Sequence, residues 1–80
     1  MKVKILYFAK LREMVGQSQE EVEIPRPTTL SGLYQMVQFK YGTLIDSSVL
    51  AYAVNEEYVD SSIVLKDGDS VSFIPPVAGG

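Results

Sequence analysis

Thr29-Leu30-Ser31-Gly32-Leu33-Tyr34-Gln35-Met36-Val37-Gln38-Phe39-Lys40-Tyr41-Gly42 is the stretch whose reading decides the fold. Apolar residues at Leu30, Leu33, Tyr34, Met36, Val37 and Tyr41 recur at spacings of three and four, the period of an amphipathic helix. Thr28 or Thr29 is suited to cap its start, because a threonine oxygen accepts from a first-turn N–H that has no helical partner. Gly42 is suited to end it. No other helix of this length is predicted. A single helix of about three turns covers one face of a sheet and leaves the other open.

The flanking sequence supplies the strands. Residues 3–9 are rich in β-branched and aromatic side chains, with Val3, Ile5 and Tyr7 on one face and Lys4, Leu6 and Phe8 on the other. Residues 10–15 predict a short helix closed by Gly16. A second strand is expected over 21–24, broken by Pro25 and Pro27. A third is expected over 49–54, and Asn55-Glu56-Glu57 turns it into a short strand at Tyr58-Val59. Lys66-Asp67-Gly68-Asp69 is a turn before a last strand over 70–74, where Val71 and Phe73 share a face. The order predicts an α+β domain of the ubiquitin-like β-grasp type, a mixed sheet with one main helix on one face. That architecture implies a last strand parallel to the first in the middle of the sheet. Val3, Ile5, Leu30, Leu33, Val37, Val54, Val71 and Phe73 are the expected core. The domain is expected over 1–76, with a flexible tail over 77–80.

Eighty residues suffice for one small domain. No apolar run approaches the roughly 18 residues of a membrane span. The start, Met1-Lys2-Val3-Lys4-Ile5-Leu6-Tyr7-Phe8-Ala9, is too short and too strand-like in its apolar part for a signal peptide, so a cytoplasmic chain is expected. The absence of cysteine removes disulfides, a thiolate nucleophile and thiolate metal ligands. The absence of histidine removes the usual general base and the commonest metal ligand, and no metal site is expected. The net charge of −3, with no basic stripe, argues against nucleic acid. Such a surface suits a basic protein partner, or simply keeps a small domain soluble.

Pro75-Pro76 ends the last strand, since proline cannot donate to a ladder and a proline pair holds the chain extended. Val77-Ala78-Gly79-Gly80 follows, and nothing after Ile74 is expected to join the core. A Gly-Gly end by itself reads as a frayed terminus. Here it follows a stiff spacer, in a chain without the usual catalytic side chains, which points to the carboxylate of Gly80 as the reactive group. Glycine has no Cβ, so Gly79 and Gly80 can enter a narrow channel. A carboxylate is a poor electrophile and needs activation, for example as an acyl-adenylate. It can then take up sulfur or be joined to an amine.

Three segments resemble a known family. They are Val3-Lys4-Ile5-Leu6-Tyr7-Phe8-Ala9-Lys10-Leu11-Arg12-Glu13-Met14-Val15-Gly16, then Ala53-Val54-Asn55-Glu56-Glu57-Tyr58-Val59, then the end from Leu65 through Asp67-Gly68-Asp69 to Phe73-Ile74-Pro75-Pro76-Val77-Ala78-Gly79-Gly80. Together they resemble the small, sulfur-carrying subunits of molybdopterin synthase, with the weakest detail over 17–48.

The resemblance implies that a ubiquitin-activating-like adenylyltransferase uses ATP and magnesium to adenylate Gly80, and that a sulfur donor makes it a thiocarboxylate. It implies insertion of the tail into the large catalytic subunit, where sulfur passes to cyclic pyranopterin monophosphate to build the dithiolene. The family's assembly is a heterotetramer. The small subunit is not catalytic alone and binds no cofactor itself. The family's docking patch maps onto Phe8, Tyr58 and Ile74, with Arg12 at a position that contacts the partner and Pro75, Pro76, Val77 and Ala78 along the inserted arm. Tyr58 and Ile74 stand where the family has leucine and phenylalanine; both are still large and mainly apolar.

Other readings use the same residues. One is a carrier for thiamine, cysteine or tRNA thiolation, although Pro75-Pro76 and the length favour the pterin pathway. Another is a modifier joined to lysines of target proteins. A third is a non-covalent β-grasp binding module with an idle tail.

Overall fold

β1 (Lys2–Tyr7) alternates as its sequence dictates: Val3, Ile5 and Tyr7 are buried while Lys2 and Lys4 are exposed. The computed structural model describes residues 1–42 and 45–76. Phe8 is extended and caps α1 (Ala9–Val15), which closes at Gly16 with a left-handed φ of 88°. The first strand is therefore shorter than the 3–9 expected, because the chain reverses at Ala9, itself at φ 50°.

β2 (Gln19–Glu23) runs antiparallel to β1, from Lys2↔Glu23 to Leu6↔Gln19. Pairing with β1 shifts it from the expected 21–24, and Ile24, just outside the strand, is buried. α2 (Leu30–Tyr41) starts at Thr29, whose side chain accepts from the Gly32 N–H at 3.1 Å, and its C-cap is Gly42. Two further first-turn donors, the N–H groups of Leu30 and Ser31, reach the carbonyls of Ile63 and Ser61 at 3.0 and 2.9 Å.

β3 (Ala51–Val54) is shorter than the expected 49–54, because Ser47–Val49 forms a 3-10 turn capped by Asp46. It pairs with β4 (Glu57–Tyr58) and with β5 (Ser70–Ile74). The strand order is β2-β1-β5-β3-β4, with β5 parallel to β1 and antiparallel to β3. This is the expected β-grasp.

α2 buries Leu30, Leu33, Tyr34 and Val37, while Met36 is exposed despite its place in the apolar pattern. Phe73 lies at the centre of the core, with ring centroids of Tyr34, Tyr52 and Tyr7 at 5.0, 5.9 and 6.3 Å. All eight expected core residues are buried, joined by Tyr7, Leu11, Ile24, Tyr34, Tyr52 and Leu65. Pro75 differs from the expectation that nothing after Ile74 is drawn inward: it is buried, directly following the end of central strand β5. Among the described residues, no helix is long and apolar enough to cross a membrane.

Candidate docking face

Register decides what the open face of the sheet presents. Paired residues on neighbouring strands share a face. Leu6 pairs with Ser72, Ser72 with Ala53, and Ala53 with Tyr58, which makes one row across four strands on the side away from α2. Ile74 pairs with Ala51 in the next row. Phe8 immediately follows Tyr7, which pairs with Phe73, so it lies at the same end of the sheet as Ile74.

The exposures fit a contact surface. Tyr58 is 77% exposed and Phe8 44%, whereas Ile74 and Leu6 are half-buried. Exposed large apolar side chains gathered on an open face mark a candidate contact surface. At that exposure Phe8 is not a core residue. Arg12 is exposed on α1, one turn after Phe8, whose carbonyl accepts from the Leu11 N–H at 3.1 Å. Pro76 is exposed beyond buried Pro75. Phe8, Ile74, Pro75 and Pro76 thus gather at one end of the sheet, with Tyr58 across it on the β4 edge. Val77, Ala78, Gly79 and Gly80 lie outside the described residues.

Two polar hubs hold this face in place. At one, Asn55 Nδ2 donates to Asp69 Oδ1 and Asn55 Oδ1 accepts from the Ser70 N–H, both at 3.0 Å. Asp69 Oδ2 accepts from the Lys66 N–H at 2.8 Å. The hub fixes the β3–β4 hairpin to the turn that feeds β5. At the other, on the helix side, Glu20 accepts from Tyr7, Tyr41 and Lys40 and joins β1, β2 and the end of α2. Burial works to raise the Glu20 carboxyl, but hydrogen bonds from Tyr7, Lys40 and Tyr41 outweigh it and hold it below its ordinary value.

Among the described residues, no group of three or more acidic side chains is arranged to hold a metal ion. What this part of the molecule can do is bind an apolar partner surface and present whatever follows Pro76. The small residues Ala51 and Ala53, on the same face, carry no periodic signal and escape a sequence reading. Asn55-Glu56 between two strands is a legible hairpin turn, but its proximity to the open face is not legible.

The ThiS family model matches residues 5–80. The molybdopterin synthase sulfur carrier subunit of Mycobacterium tuberculosis is 43% identical over 82 residues, covering 100% of this chain and 99% of that protein. The structure of a putative molybdopterin converting factor, subunit 1, from Pyrococcus furiosus superposes with a TM-score of 0.80 at 34% identity, covering 96% of this chain and 99% of that one. A chain of the complex between subunits 1 and 2 of the molybdopterin-converting factor of Helicobacter pylori matches at a TM-score of 0.70 and 30% identity, with 100% of each chain covered.

Proposed function

The chain belongs to the ThiS family, alongside the molybdopterin synthase sulfur carrier subunits, and on that premise we propose that it carries sulfur to molybdopterin as the small subunit of that synthase. The observation that carries the proposal is the 43% identity along the whole chain to a protein of that name. The 30% identity to a chain from a two-subunit converting factor supports a large-subunit partner.

In this reading the described domain is the handle and residues 77–80 are the working arm. A ubiquitin-activating-like adenylyltransferase binds ATP and magnesium. A carboxylate oxygen of Gly80 attacks the α-phosphorus of ATP, pyrophosphate leaves, and the carboxyl carbon becomes an activated acyl-adenylate. A sulfur donor displaces AMP and leaves a thiocarboxylate. Phe8, Tyr58 and Ile74 dock the domain on the large subunit, Arg12 contacts it at the edge, and Pro75-Pro76 directs Val77, Ala78 and Gly79 into its active site. Sulfur there passes to cyclic pyranopterin monophosphate, and two carriers in turn complete the dithiolene. Two small subunits at opposite ends of a large-subunit dimer make the heterotetramer, in the cytoplasm.

Intact-mass measurement tests the proposal. The full chain is incubated with its activating enzyme, ATP, magnesium and a sulfur donor. The expected product has one oxygen replaced by sulfur, and deletion of Gly80 abolishes it. An unchanged mass under conditions where the enzyme is active sinks the carrier reading. Addition of the large subunit and the pterin precursor must then yield molybdopterin; a thiocarboxylate that yields none belongs to another sulfur pathway.

A further inference from the structure

Next to the apolar patch the open face holds a shallow recess lined by Leu6, Asn55, Glu56, Ser70 and Ser72. Leu6 and Ser72 are partners across β1 and β5, so an aliphatic group and a serine lie side by side in it, with the β3–β4 turn alongside. Glu56 is the one ionisable residue of the lining, and it makes no ion pair among the described residues. Asn55, the other strongly polar side chain there, is already engaged with Asp69 and the Ser70 N–H.

The backbone at Glu56 is unusual. Asn55 and Glu56 are the only residues between Val54 and Glu57, which pair, so they form a two-residue hairpin turn. Their φ angles are 52° and 70°. Asparagine followed by glycine is the favoured choice for such a turn, and a residue with a Cβ is disfavoured at the second position. A glutamate held there lowers fold stability and sets a carboxylate at the recess.

We propose that Glu56 is a specificity-determining residue of the docking face, and that the recess takes a long cationic side chain, arginine or lysine, from the large subunit. This rests on the docking reading above. The methylene stem covers Leu6 and the cationic head meets the Glu56 carboxylate, with the hydroxyls of Ser70 and Ser72 as further acceptors. Only a side chain with an aliphatic stem and a charged tip matches both parts of that lining. An apolar occupant would leave the carboxylate desolvated and unpaired, and an anionic one would be repelled.

The test is calorimetric binding of the full chain to its large subunit at low and at high salt, for wild type, Glu56→Gln, Glu56→Gly and Phe8→Ala. Both Glu56 variants are expected to bind roughly tenfold more weakly at low salt, between a rim ion pair and a fully desolvated one, with the difference shrinking at high salt. Glu56→Gly should also melt at a higher temperature than wild type, since glycine suits a φ of 70°. If Phe8→Ala weakens binding while both Glu56 variants bind like wild type, the recess proposal is wrong and the docking face stands. If Phe8→Ala also binds like wild type, the docking reading itself fails and this inference falls with it.

Discussion

The Tyr7 hydroxyl donates to Glu20 Oε2 at 2.6 Å, a bond between β1 and β2 on the helix side of the sheet. Tyr41 and Lys40, at the end of α2, donate to the same carboxylate at 2.9 and 3.0 Å. One side chain of an edge strand therefore locks the sheet to α2. Burial, and then the bond to Glu20, push the Tyr7 hydroxyl well above its ordinary range, so it stays a donor at all ordinary pH.

The sign of the pH dependence follows. The Glu20 carboxyl is held lower in the folded chain than in the unfolded one. Its stabilisation is complete above the ordinary value of 4.5 and is lost as pH falls through the lower folded value. Glu20→Gln should cost about 2 kcal/mol at neutral pH. The gap to wild type should close as pH drops below 4.5 and through the folded value. Urea unfolding across that range measures it, and a gap independent of pH would count against the network.

Ala9 offers a gain. At φ 50° it occupies the left-handed region at the reversal between β1 and α1, next to Phe8. Ala9→Gly should stabilise the domain by about 1 kcal/mol. The urea midpoint should rise, and a lower midpoint would show that the reversal is not strained.

Asn55→Ala removes both side-chain hydrogen bonds of the hairpin hub and leaves Asp69 Oδ1 without its donor. A loss of about 2 kcal/mol is expected. Asn55→Gly should lose less, because glycine accepts the φ of 52°. Equal losses for the two variants would mean that backbone conformation contributes nothing there.

Two aromatic residues separate folding from docking. Phe73 is fully buried among three tyrosine rings, and Phe73→Ala should cost about 3–5 kcal/mol. Tyr58 is 77% exposed, and Tyr58→Ala should change stability by less than about 0.5 kcal/mol. Yet it should weaken large-subunit binding by about 2 kcal/mol or more, as truncation of a desolvated anchor does. Thermal melts and calorimetry on the same preparations distinguish the two effects.

Gly79→Ala should leave the melting temperature unchanged and slow formation of the thiocarboxylate, because a Cβ then has to enter the activating enzyme's channel. An unaltered rate of mass change would remove the access argument for the glycines.

Much of the fold was legible because its signals are local. Alternation in β1 and β5, the three-and-four spacing of α2 and the stops at Gly16 and Gly42 each depend on a few neighbouring residues. The strand ends were less legible. β2 and β3 begin and stop where a partner strand lets them, and neither Gln19 nor Ala51 announces that partner. Met36 fits the helical pattern yet lies exposed, because the packing seam runs through Leu30, Leu33, Tyr34 and Val37.

The candidate site divides in the same way. Composition alone excluded thiol and imidazole chemistry and singled out the Gly-Gly end as the proposed reactive group, while Phe8, Tyr58 and Ile74 became proposed contacts through the family resemblance. Only the tertiary structure decided that Leu6, Ser72, Ala53 and Tyr58 form one row and that Phe8 and Ile74 lie at the same end of the sheet. It alone buried Pro75 beside the central strand and brought Glu56 to a recess with Leu6. These relations join residues far apart in the chain through strand register, which is set by pairing across the whole sheet and leaves no trace in any short stretch of sequence.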